Sequence, residues 1–125
     1  LERRDARGKQ QIADAALAQF LAQERYVRDQ ISVEVQDALS NLEKTHQRLA
    51  KAREEQQVAL RVADLERDRF SKGQGTLLEV NFRELAAAAA QAKVVDTLAD
   101  FYRAQADLEA AIGTLAKARN GSRGK

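Results

Sequence analysis

The chain has 125 residues and a formal net charge of +2, and charged residues make up 32% of it. It contains 24 alanines but only six aromatic residues, and no proline, cysteine, methionine or tryptophan. This composition favours long helices that pack closely through small side chains, and it excludes a deep aromatic-rich core. No apolar run approaches the roughly 18 to 20 residues of a membrane-spanning helix. The lack of any methionine predicts that the chain is a fragment of a longer protein.

Basic side chains are concentrated at the two ends of the chain. Residues 10–116 carry 13 basic and 17 acidic side chains, so the long central part is acidic. A nucleic-acid-binding face needs basic residues clustered along the helices and aromatic side chains that stack on bases. Because neither is present, we predict no nucleic-acid partner.

A first helix is predicted over residues 9–71. From Ile31 onward, apolar or small residues recur in alternating steps of four and three, which is the heptad period of helices that supercoil around each other. The stripe comprises Ile31, Val35, Ala38, Leu42, Thr45, Leu49, Ala52, Gln56, Ala59, Ala63 and Phe70, and is interrupted by Glu66. Such a stripe predicts a partner helix along most of the first helix.

The one sharp turn is predicted at residues 72–75, because Gly73 and Gly75 are the only glycines between Gly8 and Gly113. Glycine just after a helix allows the left-handed backbone that ends it. Thr76 and Glu79 then have the spacing of a capping box, in which each side chain bonds the backbone N–H of the other. We therefore predict that a second helix starts at the capping box.

This second helix is predicted over residues 76–118. Its stripe has the same four-three spacing: Val94, Leu98, Phe101, Gln105, Leu108, Ile112 and Leu115. The predicted fold is all-α, a long antiparallel helical hairpin that resembles a coiled coil, in which residue i lies near residue 148 − i. Residues 119–125 are predicted to be a disordered tail. Apolar residues before position 30 have no partner within this hairpin, which predicts self-association: Ile12, Leu17, Phe20, Leu21 and Val27.

Several segments, in order, resemble one protein family. The run from Phe70 to Val80, Phe-Ser-Lys-Gly-Gln-Gly-Thr-Leu-Leu-Glu-Val, resembles the tip of the second helical hairpin in the TolC-like outer membrane efflux proteins. Residues 31–42 resemble that family's descending helix, and residues 102–115 its closing aromatic-x-x-Ala-x-x-x-Leu-x-x-Ala-x-Gly pattern. Residues 1–8 resemble the end of the connection from a barrel strand to the helix. The resemblance covers nearly the whole chain with consistent spacing.

The resemblance implies a trimer, embedded in the outer membrane, whose long periplasmic tube of helices receives two similar hairpins from each protomer. This chain would be the second, periplasmic hairpin. Its tip would dock a periplasmic adaptor protein that links the tube to an inner-membrane pump. By position, the adaptor-docking residues would be Lys72, Gly73 and Gln74.

The resemblance also implies candidates for a pore constriction just after the tip, Glu79 and Phe82. Family members can carry two acidic residues three positions apart here, and Phe82 replaces the second, so an acidic ring is only half supported. Family members can also carry a basic residue that latches the closed tip. The matching position in this chain is Gly75, so that latch is absent from this hairpin. Phe70 keeps an aromatic ring but has no hydroxyl group.

No residue pattern predicts an enzyme, a cofactor or a metal. Glu43 and His46 have the spacing of a di-iron helix, but such a site needs a second copy, and His46 is the only histidine. The paired carboxylates of Glu54 and Glu55 diverge on a helix and favour a solvated face. Two other functions remain open: the hairpin of a periplasmic adaptor, which is the other side of the same junction, and a cytoplasmic coiled-coil spacer arm.

Overall fold

The computed structural model describes residues 2–124. It contains two α-helices that pack against each other as a hairpin, α1 (Glu2–Ser71) and α2 (Leu77–Arg123), and no strand in that range. The all-helical hairpin predicted from the sequence is confirmed. The contacts divide it into two compact units, residues 38–109 and residues 2–37 with 110–124. Within the described residues, neither helix has a stretch both long and apolar enough to cross a bilayer.

Both helices extend further than predicted at the free ends. The structure starts α1 at Glu2, so residues 2–8 are helical rather than a connection, and α2 continues to Arg123 through most of the predicted tail. Gly8 and Gly121 lie inside these segments, where each costs only about 1 kcal/mol relative to alanine. Acidic residues in the first turn of α1 and Arg123 in the last turn of α2 match the helix dipole. Leu1 and Lys125, which belong to the predicted end segments, lie outside the described residues.

The buried side of α1 in the unit formed by residues 38–109 follows the predicted heptad stripe. Its buried members all lie on that stripe: Thr45, Leu49, Ala52, Ala63 and Glu66. Most are small, which allows the two helix axes to approach closely. Thr45 is tolerated because its Oγ1 donates to the backbone oxygen of Leu42 at 2.9 Å. The stripe therefore works by close approach rather than by large interlocking side chains.

The buried side of α2 differs in part from the prediction. Val94, Leu98, Phe101 and Leu108 are half-buried on the predicted stripe, but Gln105 is exposed, and the most buried residues of this stretch are Thr97 and Ala104. Ile112 and Leu115, also predicted inward, are exposed. The physical reason is again size, because a small residue opposite α1 lets the helices come together.

Side-chain pairs between the two helices show the register of the hairpin. Nζ of Lys93 lies 2.9 Å from Oε2 of Glu55, and Nη1 of Arg48 lies 3.8 Å from Oδ2 of Asp100. Both pairs follow the predicted relation between i and 148 − i. Nearer the turn, Nε of Arg67 donates to Oε1 of Glu84 at 2.6 Å, and this bond raises the pKa of Arg67 above its ordinary range.

The Glu55–Lys93 pair predicts how stability changes in acid. The hydrogen bond from Lys93 lowers the pKa of Glu55 below its ordinary value of 4.5. A lowered pKa in the folded state stabilises the fold above the unfolded-state pKa, and this stability is lost as pH falls through the folded pKa. We expect Lys93→Met to lower the melting temperature slightly near neutral pH and to flatten its decline in acid.

Thermal unfolding followed by circular dichroism from about pH 7 to about pH 3 measures this effect across the titration range. Lys44→Met removes the same charge away from Glu55 and serves as the control. An identical change in the pH curve for both variants would mean that the direct bond is not the cause.

Candidate functional site: the hairpin tip

The tip begins with a helix stop built from backbone hydrogen bonds. The N–H of Gln74 donates to the carbonyl of Arg69 at 2.8 Å, and the N–H of Gly73 donates to the carbonyl of Phe70 at 3.0 Å. These two bonds are the pair that defines a Schellman motif. Gly73 takes the left-handed conformation that the motif requires, with φ of 79°. The carbonyls of Arg69 and Phe70 are therefore satisfied within the turn itself.

The helix start follows immediately and contains both bonds of the expected capping box. Oγ1 of Thr76 accepts from the N–H of Glu79 at 3.2 Å, and Oε2 of Glu79 accepts from the N–H of Thr76 at 3.3 Å. Gly75, just before the cap, also has a positive φ, of 81°. A stop and a start separated by so few residues hold the tip in one defined backbone path.

The three predicted docking residues lie together at this turn and are exposed. Nζ of Lys72 contacts Oδ2 of Asp68 at 3.0 Å, one turn back along α1. No heavy atom lies within 4 Å of the position that a Cβ on Gly73 would take, apart from its chain neighbours. Backbone at Gly73 is thus open to close approach from outside.

An open cleft of about 390 Å³ lies beside the tip. Its walls combine two carboxylates, two guanidinium groups and two apolar side chains: Glu66, Glu79, Arg69, Arg83, Leu78 and Phe82. Cζ of Arg83 lies 5.9 Å from the centroid of the Phe82 ring, which is 66% exposed. The cleft brings both predicted constriction residues, Glu79 and Phe82, into one place.

Glu66 belongs to this site, although the sequence indicated it only as a charged interruption of the heptad stripe of α1. It is buried to 9% exposure, its Oε2 lies 3.5 Å from Nη1 of Arg69, and its Oε1 has no hydrogen-bond partner within the described residues. Its spacing could have predicted its burial, because it lies three residues after Ala63 on the buried stripe. A carboxylate on that stripe next to the turn must be accommodated by the turn itself.

The turn accommodates Glu66 by having no side chain at Gly75. A Cβ placed on Gly75 would lie 3.1 Å from Oε1 of Glu66 and 3.1 Å from Oε2 of Glu79. Glycine therefore suits position 75 through its backbone conformation, and any side chain there would have to displace the two carboxylates slightly.

The geometry of Glu79 limits what its charge can do. One carboxylate oxygen already accepts from the backbone of Thr76, and it lies beside Gly75. A carboxylate that caps its own helix is held in place by that bond. Among residues 2–124, no group of three or more histidine, cysteine, aspartate or glutamate side chains is placed to hold a metal ion.

Comparison with protein-family models, with curated proteins and with solved structures finds no match for this chain.

Proposed function

We propose that this chain is the second periplasmic hairpin of a TolC-like outer membrane efflux duct. In this proposal the hairpin forms part of the wall of a passive export conduit in a trimeric parent protein. Its tip, at Lys72, Gly73 and Gln74, docks a periplasmic adaptor that connects the duct to an inner-membrane pump. The conduit opens when the adaptor and the pump move the tips.

The observation that carries the proposal is the construction of the tip. Its backbone is closed on one side by the Schellman bonds and on the other by the capping box. A partner therefore meets a preformed surface and has little loop ordering to drive, which favours association. The open space at Gly73 allows a partner to come close to the backbone.

A second support is the amount of apolar surface left uncovered. In the unit formed by residues 2–37 and 110–124, several large side chains of α1 are exposed: Ile12, Leu17, Phe20, Leu21, Tyr26 and Val27. Burying each such side chain is worth roughly 1.5 to 3 kcal/mol. Helices in a duct wall have neighbours on both sides, and these side chains are the ones that neighbours would cover.

The proposal predicts a specific contact between tips. In the full-length parent protein with a single cysteine at Gln74, we expect a cross-link in intact cells to a cysteine at the hairpin tip of the co-encoded adaptor. A cysteine at Gln47, which is exposed on α1 away from the tip, is the matched control and should not cross-link.

The outcome separates this function from the others left open by the sequence. A link at Gln74 alone supports the duct. Absence of any link with every co-encoded adaptor would refute docking at the tip and would favour a spacer arm. An adaptor hairpin would instead cross-link through Gln74 to the tip of an outer membrane duct.

A further inference from the structure

The charged side chains in the last part of α2 are all cationic. Residues 110–124 include Lys117, Arg119 and Arg123 and no acidic side chain. Arg123 lies in the last turn, where a cation suits the negative end of the helix dipole, but Arg119 lies one turn earlier, where that effect has faded. Neither arginine takes part in an ion pair within residues 2–124. Two guanidinium groups at this end of the helix are therefore available to an anion.

Both arginines line one open cavity of about 590 Å³, whose walls come from α1 and α2 within the unit formed by residues 2–37 and 110–124. Arg28 adds a third guanidinium group from α1, and its Nη2 also bonds to Oε1 of Glu24 at 3.1 Å. Asp29 supplies the one carboxylate among the residues that line the cavity. The wall thus carries more positive charge than negative charge, which favours an anion in the cavity.

Along α2 the wall of the cavity changes from apolar to cationic. Ile112 and Leu115 line it, and they are 49% and 36% exposed. They lie seven and four residues before Arg119, so all three side chains project from one face of the helix. A single exposed leucine or arginine on a helix needs no ligand to explain it. An apolar end and a cationic end within the same cavity, however, match a ligand that has an alkyl chain and an anionic group.

We propose that this cavity binds a single-chain alkyl carboxylate, that is, a fatty acid in its anionic form. Its carboxylate accepts hydrogen bonds from Arg119 and Arg123, whose forked N–H groups suit a carboxylate. Its chain lies on Ile112 and Leu115 and removes their apolar surface from water. Ile112 lies about 10 Å from Arg119 along the helix, which an extended chain of about eight carbons spans. The site goes beyond the duct proposal and does not rest on it, because it uses none of the tip residues.

Other anionic occupants fit the cavity less well. An acidic peptide would place backbone N–H and C=O groups on Ile112 and Leu115, where they would lose hydrogen bonds to water. A small inorganic anion would leave the apolar end uncovered. A bilayer surface would meet the outside of the helices, whereas Arg28 and Ser32 of α1 line the cavity together with the face of α2. One alkyl chain with one charged end satisfies both ends of the cavity.

Isothermal titration calorimetry of this chain with a series of carboxylates tests the apolar half of the site. From butanoate to octanoate, we expect each added methylene group to tighten binding by up to about fourfold. Beyond about ten carbons the chain extends past the cavity, and the gain should stop. Octanol, which has the chain but no charge, should bind at least about tenfold more weakly than octanoate. Affinity that keeps rising to tetradecanoate, or equal binding of octanol, would mean adsorption to exposed apolar surface and would overturn the proposal.

Two pairs of variants show whether the cavity itself binds the ligand. Arg119→Gln should weaken octanoate binding at least about threefold. Arg25→Gln removes the same charge from an exposed position of α1 outside the cavity wall and should not. Leu115→Gln should also weaken binding at least about threefold, whereas Leu17→Gln, at an exposed apolar position outside the cavity wall, should not. If circular dichroism shows that Leu115→Gln has unfolded, the arginine pair decides alone. Equal effects of the two arginine variants would mean that net charge is the cause and that the proposed site is wrong.

A membrane surface is the alternative source of an anionic amphiphile, and co-sedimentation with phosphatidylglycerol vesicles tests it. The proposal expects dispersed octanoate to bind at concentrations at which it forms no micelles, and Arg119→Gln to weaken that binding. Binding to the vesicles with none to dispersed octanoate would assign these arginines to a membrane contact and would overturn the proposal.

Discussion

Replacing Gly75 with alanine is expected to destabilise the hairpin by about 2 to 3 kcal/mol. The first cause is the backbone, because Gly75 has a φ of 81°, and an L-residue is strained there. The second is space, because the new Cβ would lie 3.1 Å from carboxylate oxygens of Glu66 and Glu79. Glu66 is buried and cannot simply move into water. Equilibrium denaturation in urea measures the loss.

Gly73→Ala is the matched control for this prediction. Gly73 has nearly the same φ, 79°, but a Cβ there meets nothing within 4 Å. We expect only the backbone cost, about 1 to 2 kcal/mol. The difference between the two variants isolates the contact with the carboxylates. If Gly73→Ala is as damaging as Gly75→Ala, the crowding around Gly75 has no energetic role.

Replacing Leu49 with alanine should cost about 2 to 4 kcal/mol. Leu49 is 4% exposed and is the largest of the buried residues on α1 between residues 38 and 71 that is wholly apolar. Its neighbours on the stripe are small and cannot collapse into the space that it leaves. The expected result is a lower urea midpoint without loss of helix in the native baseline.

Leu60→Ala makes the same chemical change on the same helix, at a position that is 43% exposed. Leucine and alanine have similar helix propensities, so the two variants differ mainly in burial. We expect Leu60→Ala to cost less than about 1 kcal/mol. Equal losses for the two leucines would mean that the seam observed between α1 and α2 does not stabilise the protein in solution.

Local chemistry made the turn predictable from the sequence. Gly73, Thr76 and Glu79 act through bonds to their own or nearby backbone, so their spacing alone predicts what they do. The stripe of α1 was predictable for a similar reason, because its apolar residues keep one period over many turns. Both features depend on a few neighbouring residues and on no distant partner.

The face of α2 was not fully predictable, because the heptad period places Gln105 inward while close packing buries Ala104. Which of two adjacent residues faces the partner depends on the distance between the helix axes, and periodicity does not contain that distance. The same limit applied to Glu66. A charged residue on an apolar stripe is assigned to the surface by composition, and only the path of the turn reveals the space that Gly75 leaves for it.

The register of the hairpin has a consequence for how the chain folds. The Arg67–Glu84 bond joins residues 17 apart in sequence, whereas the Glu55–Lys93 bond joins residues 38 apart. Direct closure of the longer loop costs roughly 0.6 kcal/mol more in chain entropy, whereas after the shorter loop has formed, only the residues between the two pairs remain to be closed. We therefore expect contacts to form in order from the turn toward the open end of the hairpin. A defect at the turn should then delay every later contact, whereas one in the middle of the hairpin should leave the turn able to form.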